Sequence, residues 1–276
     1  NDTLYRASNG TINLNSGGTL SIGIGGTTGA LATDITDNGL LIFDRSTDYA
    51  YAYSIAGSGD VYKQGNGTLT FSGTSTYSGD TLVKSGTLVL SGALGLTAME
   101  VFSGATLAGD GSTLGTVTLA NGGTITPGAG SIATLTVGGL DFSGSLSVAE
   151  MQITGSNAGQ YDRILAQSGT FMAVSWGDGT LHVTMTNTPS YETGTVFHLF
   201  QGFTQYQGSI SGITLNAAGT DFAGLAFSDP GHSGIWQTSF TAQNQALRFS
   251  TVTGDLIVVP EPSTVAMGCA GLAALA

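Results

Sequence analysis

Three histidines and two glycine-flanked aspartates are the residues whose types could do chemistry in this chain. His182, His198 and His232 stand in unrelated contexts, whereas metal sites gather His and carboxylates at short spacings. His182 and His198 each alternate with apolar neighbours, which predicts solvent-facing strand positions. Asp110, in Gly109-Asp110-Gly111, and Asp178, in Gly177-Asp178-Gly179, are the residues that a carbohydrate-cleaving pair of carboxylates would draw on. Asp-Gly also favours tight turns, and the tandem Gly-Gly-x-Gly-x-Asp calcium pattern is not met. No serine elbow, phosphate loop or zinc spacing occurs. A further arrangement is polar: Thr68/Thr70, Thr116/Thr118, Thr124/Thr126 and Thr134/Thr136 are Thr-x-Thr pairs of the sort that an ice- or glycan-binding face would use. Their steps along the chain are uneven, and a stacked ladder requires nearly equal ones. The expectation is a protein with no catalytic residue, no metal and no cofactor.

The elements that carry these residues follow from composition. Glycine accounts for 44 of 276 residues, and charged residues make up 9%, against about a quarter in an ordinary globular domain. Hydrophobic residues at 41% exclude a disordered chain. Abundant Gly and Thr with only two lysines predict short strands joined by tight turns. The net charge of −12 and the lack of any basic cluster exclude nucleic-acid binding. Cys269 is the single cysteine, so the body is expected to hold no disulfide or cysteine-ligated metal.

An internal repeat organises the strands. Gly18-Thr19-Leu20, Asn38-Gly39-Leu40, Gly67-Thr68-Leu69, Gly86-Thr87-Leu88, Ala105-Thr106-Leu107 and Gly123-Thr124-Ile125 recur at steps of 18 to 20, with one step of 29 from Leu40 to Leu69. The long step is read as an insert, Asp48-Tyr49-Ala50-Tyr51-Ala52-Tyr53. Leu69 and Phe71 alternate with Thr68, Thr70 and Ser72, which predicts an apolar inner face and a wet outer one. A unit of about nineteen residues cannot bury its apolar side alone, so stacking into a parallel β-helix is expected. An antiparallel sandwich is the alternative. From Leu140 the register fades, although Leu146/Val148, Leu181/Val183/Met185 and Phe197/Leu199 still alternate. The expected division is therefore repeats over 1–139, a β-rich capping portion over 140–258, and a tail over 259–276.

Two resemblances attach to these residues. Thr36-Asp37-Asn38-Gly39-Leu40-Leu41-Ile42-Phe43, Ile55-Ala56-Gly57-Ser58-Gly59-Asp60, Gly67-Thr68-Leu69-Thr70-Phe71 and Thr76-Tyr77-Ser78-Gly79-Asp80 resemble the autotransporter-associated β-strand repeat. The likeness is close over 35–92 and looser over 104–139. It implies a right-handed β-helix passenger in an exported protein. Gly234-Ile235-Trp236-Gln237-Thr238-Ser239-Phe240 is similar to the tryptophan-containing strand that often closes such proteins.

Val259, Pro260, Glu261, Pro262 and Ser263, followed by an uncharged run to Ala276, resemble the PEP-CTERM sorting signal. Two prolines fix φ and remove two backbone donors, so a helix would start only after Pro262, with Ser263 or Thr264 as its N-cap. The resemblance implies an exosortase-type sorting enzyme as partner, transient membrane anchoring through the tail, and display at the cell surface or in the extracellular polysaccharide of a Gram-negative bacterium. The run from Ser263 to Ala276 is shorter than the roughly 17 to 25 residues of a membrane span. An export leader before Asn1 and an Arg-rich end after Ala276 are therefore expected in the complete protein. The functional reading is an adhesive or structural solenoid. Ice or glycan binding by a threonine face is the alternative, and a polysaccharide lyase or glycosidase is the remoter one.

Overall fold

The computed structural model describes residues 10–167, 173–186 and 191–261. The short strands stack coil upon coil into a parallel β-helix of three faces. The first face has nine strands, from Thr19–Gly26 to Gln205–Gln207. The second has eight, from Tyr49–Tyr51 to Gly212–Asn216. The third combines three strands beginning at Ile12–Leu14 with six ending at Phe200–Gln201. These two groups join where Thr76 N donates to Ile55 O at 2.8 Å and Ile55 N to Ser75 Oγ at 3.0 Å. The helical element among the described residues is a three-residue 3₁₀ turn, Gly128–Gly130. The expected C-terminal helix falls outside those residues.

Alternation decides which side chains enter the core. Leu69 and Phe71 are buried between partly exposed Thr68 and Thr70, and Leu88 and Leu90 repeat the pattern one coil on. Leu69, Leu88, Leu107 and Ile125 are register partners, so one apolar column runs through four coils. Leu20 and Leu40 belong elsewhere, on the first face, where Leu20 pairs with Leu41 and Leu40 with Asp60. The partner of Leu69 is Tyr49. The 29-residue step is thus a change of face, and the tyrosine stretch is the second face's first strand, not an insert. Glycine-bounded strands on two faces look alike in sequence, because both place a leucine after a turn.

Coil length divides the molecule. On the first face the register runs Leu41, Val61, Thr81, Met99 and Val117, in steps of 18 to 20 residues. It continues to Leu140, Val174 and Tyr206, in steps of 23, 34 and 32. Parallel stacking therefore extends well past residue 139, to Gly212–Asn216. Extra residues enter between the strands, which erases the Gly-Thr-Leu period while leaving the faces aligned. Leu146 is not an inward residue: it is 73% exposed with φ of 69°, and the next strand buries Ala149, Met151 and Ile153. A shift of one residue at this turn exchanges inside for outside.

The C-terminal end of the stack and one edge at its start are covered. At the C-terminal end a five-stranded antiparallel sheet is ordered Val196–His198, Asp255–Pro260, Gln245–Ser250, Ile235–Thr238, Phe227–Ser228. Trp176 ties it to the helix by donating Nε1–H to Thr251 O at 2.7 Å, and the indole contacts Phe142, Phe200, Tyr206 and Phe249. At the other end, residues 27–34 lie over the Tyr49–Tyr51 strand. The Tyr49 hydroxyl accepts from Leu31 N at 2.8 Å and donates to Leu31 O, while Tyr51 donates to Thr33 O at 2.7 Å. Arg45 donates to Gly29 O and Thr27 O. This blunts an edge that would otherwise offer a free row of strand hydrogen bonds.

Candidate functional surface

Polar side chains with a structural task sit at the corners, where chain reversals leave backbone groups without strand partners. Asp34 Oδ1 accepts Ser54 N at 2.8 Å, Asn38 Oδ1 accepts Ser58 N at 3.2 Å, Asp48 Oδ1 accepts Thr68 N at 3.0 Å, and Asp60 Oδ1 accepts Asp80 N at 2.9 Å. Each acceptor thus holds the amide twenty residues ahead, one coil away. The Thr68 amide holds the Asp48 carboxyl below its usual range.

Three charged side chains lie inside. Lys63 is buried and its ammonium donates to Gln64 O, Gly65 O and Ser85 O at 3.0, 2.8 and 2.9 Å. Burial lowers its pKa to about 8, against a smaller opposing pull from Asp44. Asp162 is fully buried, accepts Ala133 N at 2.9 Å and Gln152 N at 2.8 Å, and is pushed up to about 6 by desolvation. Asp37 accepts Gly39 N at 2.9 Å, and its pKa is raised by burial and, less, by Asp60. These groups serve backbone atoms of the corners; Asp37 lies within the Thr36–Phe43 repeat motif, and no motif or spacing marks Lys63 or Asp162 for this task.

The residues marked by sequence for chemistry are dispersed. Asp110 is exposed where the second face turns to the third, and Asp178 is exposed where the first turns to the second. His182 sits on the outer side of the second face, opposite Glu150 and Thr214. His198 is half exposed in the capping sheet and pairs with Asp255, Nδ1 to Oδ1 2.7 Å. His232 lies in an exposed turn, with φ of 47°. No group of three or more His, Cys, Asp or Glu among the described residues is placed to hold a metal ion.

The threonines are more orderly than their pairs imply. Thr116/Thr118 lie on the first face and Thr134/Thr136 on the third, while Thr68/Thr70 and Thr124/Thr126 share the second. The first threonines of the second-face strands, Thr68, Thr87, Thr106 and Thr124, are direct register partners and form an outward column over four coils. The neighbouring column reads Thr70, Val89, Ala108, Thr126, and Ala108 in it is buried.

The C-terminal motif begins inside the fold. Val259 is buried and pairs with Ala246, Pro260 pairs with Gln245, and Glu261 N donates to Asn244 O at 2.9 Å. Pro262 and Ser263 lie outside the described residues. No helix among the described residues is long and apolar enough to cross a membrane.

Residues 61–90 match the model of the passenger-associated transport repeat. Structurally the matched segment is one whole coil plus the first two strands of the next, from the Asp60–Gln64 strand to Thr87–Leu90. It falls within the stretch whose motifs resemble the autotransporter-associated repeat. No curated protein matches the chain. The transport repeat on a parallel β-helix fits a surface or passenger-type β-solenoid protein, and it suggests an exported one.

Proposed function

We propose that this chain is an exported, non-enzymatic β-solenoid, sorted through its tail by an exosortase-type enzyme. It is displayed at the surface, or in the extracellular polysaccharide, of a Gram-negative bacterium, where it acts as an adhesive or structural rod. The observation that carries this reading is continuity: a stack containing the passenger-associated repeat runs through an antiparallel cap straight into Val259, Pro260 and Glu261. Supporting the non-enzymatic part, Asp110 and Asp178 stand on different corners of the helix. The test is deletion of residues 262–276 in the complete gene, which spares the cap pairings of Val259 and Pro260. Surface fractionation should show the protein mislocalised, and unchanged display would overturn the sorting role.

A second reading has its own observation. The outward Thr68, Thr87, Thr106 and Thr124 column supports an ice- or glycan-binding face. Thermal hysteresis of the purified chain decides the ice arm: activity that Thr87→Val with Thr106→Val abolishes supports it, and no hysteresis ends it.

A further inference from the structure

The outer side of the first face carries apolar side chains that the fold does not use. Ile42, Tyr62, Leu82 and Glu100 are register partners on four successive strands. All four point outward, because their strand neighbours Leu41, Phe43, Val61, Lys63, Thr81, Val83, Met99 and Val101 are buried. Leu40 beside Ile42 and Phe102 beyond Val101 widen the stripe, and each apolar member is partly exposed. With strands about 4.8 Å apart, four of them make a flat platform roughly 15 Å long. Folding does not require apolar groups throughout such a face: on the second face of the same coils one of the two outer ranks, Thr68, Thr87 and Thr106, is threonine. Contiguous outward apolar groups that stay partly open to solvent mark an interaction surface.

The surroundings of the stripe narrow the partner. Every strand in it is hydrogen-bonded on both edges, so no peptide can add as a further strand. Asp44, Asp60, Asp80 and Glu100 border it, so a second copy of this chain, with net charge −12, and any polyanion are repelled. Lys84 lies against the platform with Nζ 3.9 Å from the Tyr62 ring centre. An aromatic and aliphatic floor bordered by carboxylates and the Gln64 amide offers packing to C–H faces and acceptors to hydroxyl groups. We propose that the first-face stripe centred on Tyr62 binds a linear, uncharged polysaccharide. The physiological source of that polymer rests on the matrix reading above, but the binding itself does not depend on sorting.

Affinity electrophoresis of the purified 276-residue chain tests this in gels containing hydroxyethylcellulose, pullulan or alginate, apart from any export step. Retardation by at least one neutral polymer and none by alginate is expected. Tyr62→Thr and Leu82→Thr, which introduce a β-branched residue suited to a strand, should each weaken binding about tenfold or more, with urea midpoints near wild type confirming the fold. Thr87→Val with Thr106→Val should leave it unchanged. The proposal is overturned if neither neutral polymer retards the chain, if alginate or a lysine-rich peptide is bound instead, if both stripe variants bind as wild type, or if the threonine variants abolish binding.

Discussion

The coils before Val117 and those after it use the same three faces and solve different problems. Coils of 18 to 20 residues have almost no loops, so their stability rests on repetition: stacked leucines inside and corner carboxylates that each hold an amide of the next coil. Coils of 23 to 36 residues bring longer connections, and here the buried rings Phe142, Trp176, Phe200 and Phe249 join the stack to the cap, whereas the rings of the short coils, Phe43, Tyr51, Phe71 and Tyr77, are buried within the repeat itself. A regular solenoid tolerates no bulk between strands. Once loops enter, contacts between particular side chains replace exact repetition, and the sequence period disappears.

That contrast can be broken most forcefully at Trp176. Trp176→Ala should cost about 3–5 kcal/mol by cavity formation and strand the Thr251 carbonyl. Urea denaturation followed by near-UV circular dichroism reads it, and loss confined to the long coils and cap would sharpen the division. In the short coils the comparable weak point is backbone. Gly57 has φ of +113°, and a Cβ there would run into the Asp37 carbonyl oxygen, so Gly57→Ala is expected to cost about 2–4 kcal/mol in the same assay. A cost no greater than the rough 1–2 kcal/mol of left-handed strain alone would show that close stacking is not limiting.

Asp162 gives a smaller, pH-dependent effect in the long coils. Its folded pKa of about 6 lies above the unfolded value of about 3.9, so its contribution is fully present below pH of about 4 and is lost as pH rises through about 6. Asp162→Asn should cost about 1–3 kcal/mol, because one of the Ala133 and Gln152 amides loses its acceptor. It should also remove this part of the stability change between those pH values, read from urea melts. At the first coils, Tyr49→Phe removes both bonds to Leu31 and should cost about 1–2 kcal/mol, seen as faster hydrogen exchange at Leu31. Smallest of all, Thr87→Val on the outer column should stay within about 0.5 kcal/mol.

What the sequence shows tracks the same boundary. Alternation over Thr68–Phe71 and Thr87–Leu90 and the step between them foretell both the stacking and the side that is buried. Assignment to a face is less legible, since Leu40 and Leu69 follow similar turns yet lie on different sheets. Lys63 and Asp162 could not be found by pattern, because their burial depends on which corner carbonyls and amides meet them from another coil. The first-face stripe did leave a signal: Leu40-Leu41-Ile42-Phe43 and Leu82-Val83 are consecutive apolar residues, which in a strand means that both sides are apolar.

The strand Asp255–Pro260 is hydrogen-bonded on both edges, to Val196–His198 and to Gln245–Ser250. A load pulling on the polypeptide beyond Glu261 enters the folded body there. Freeing that strand means rupturing two ladders together, and the Trp176–Thr251 link carries the tension onward into the helical stack. The capping sheet is thereby a mechanical coupling as well as a lid.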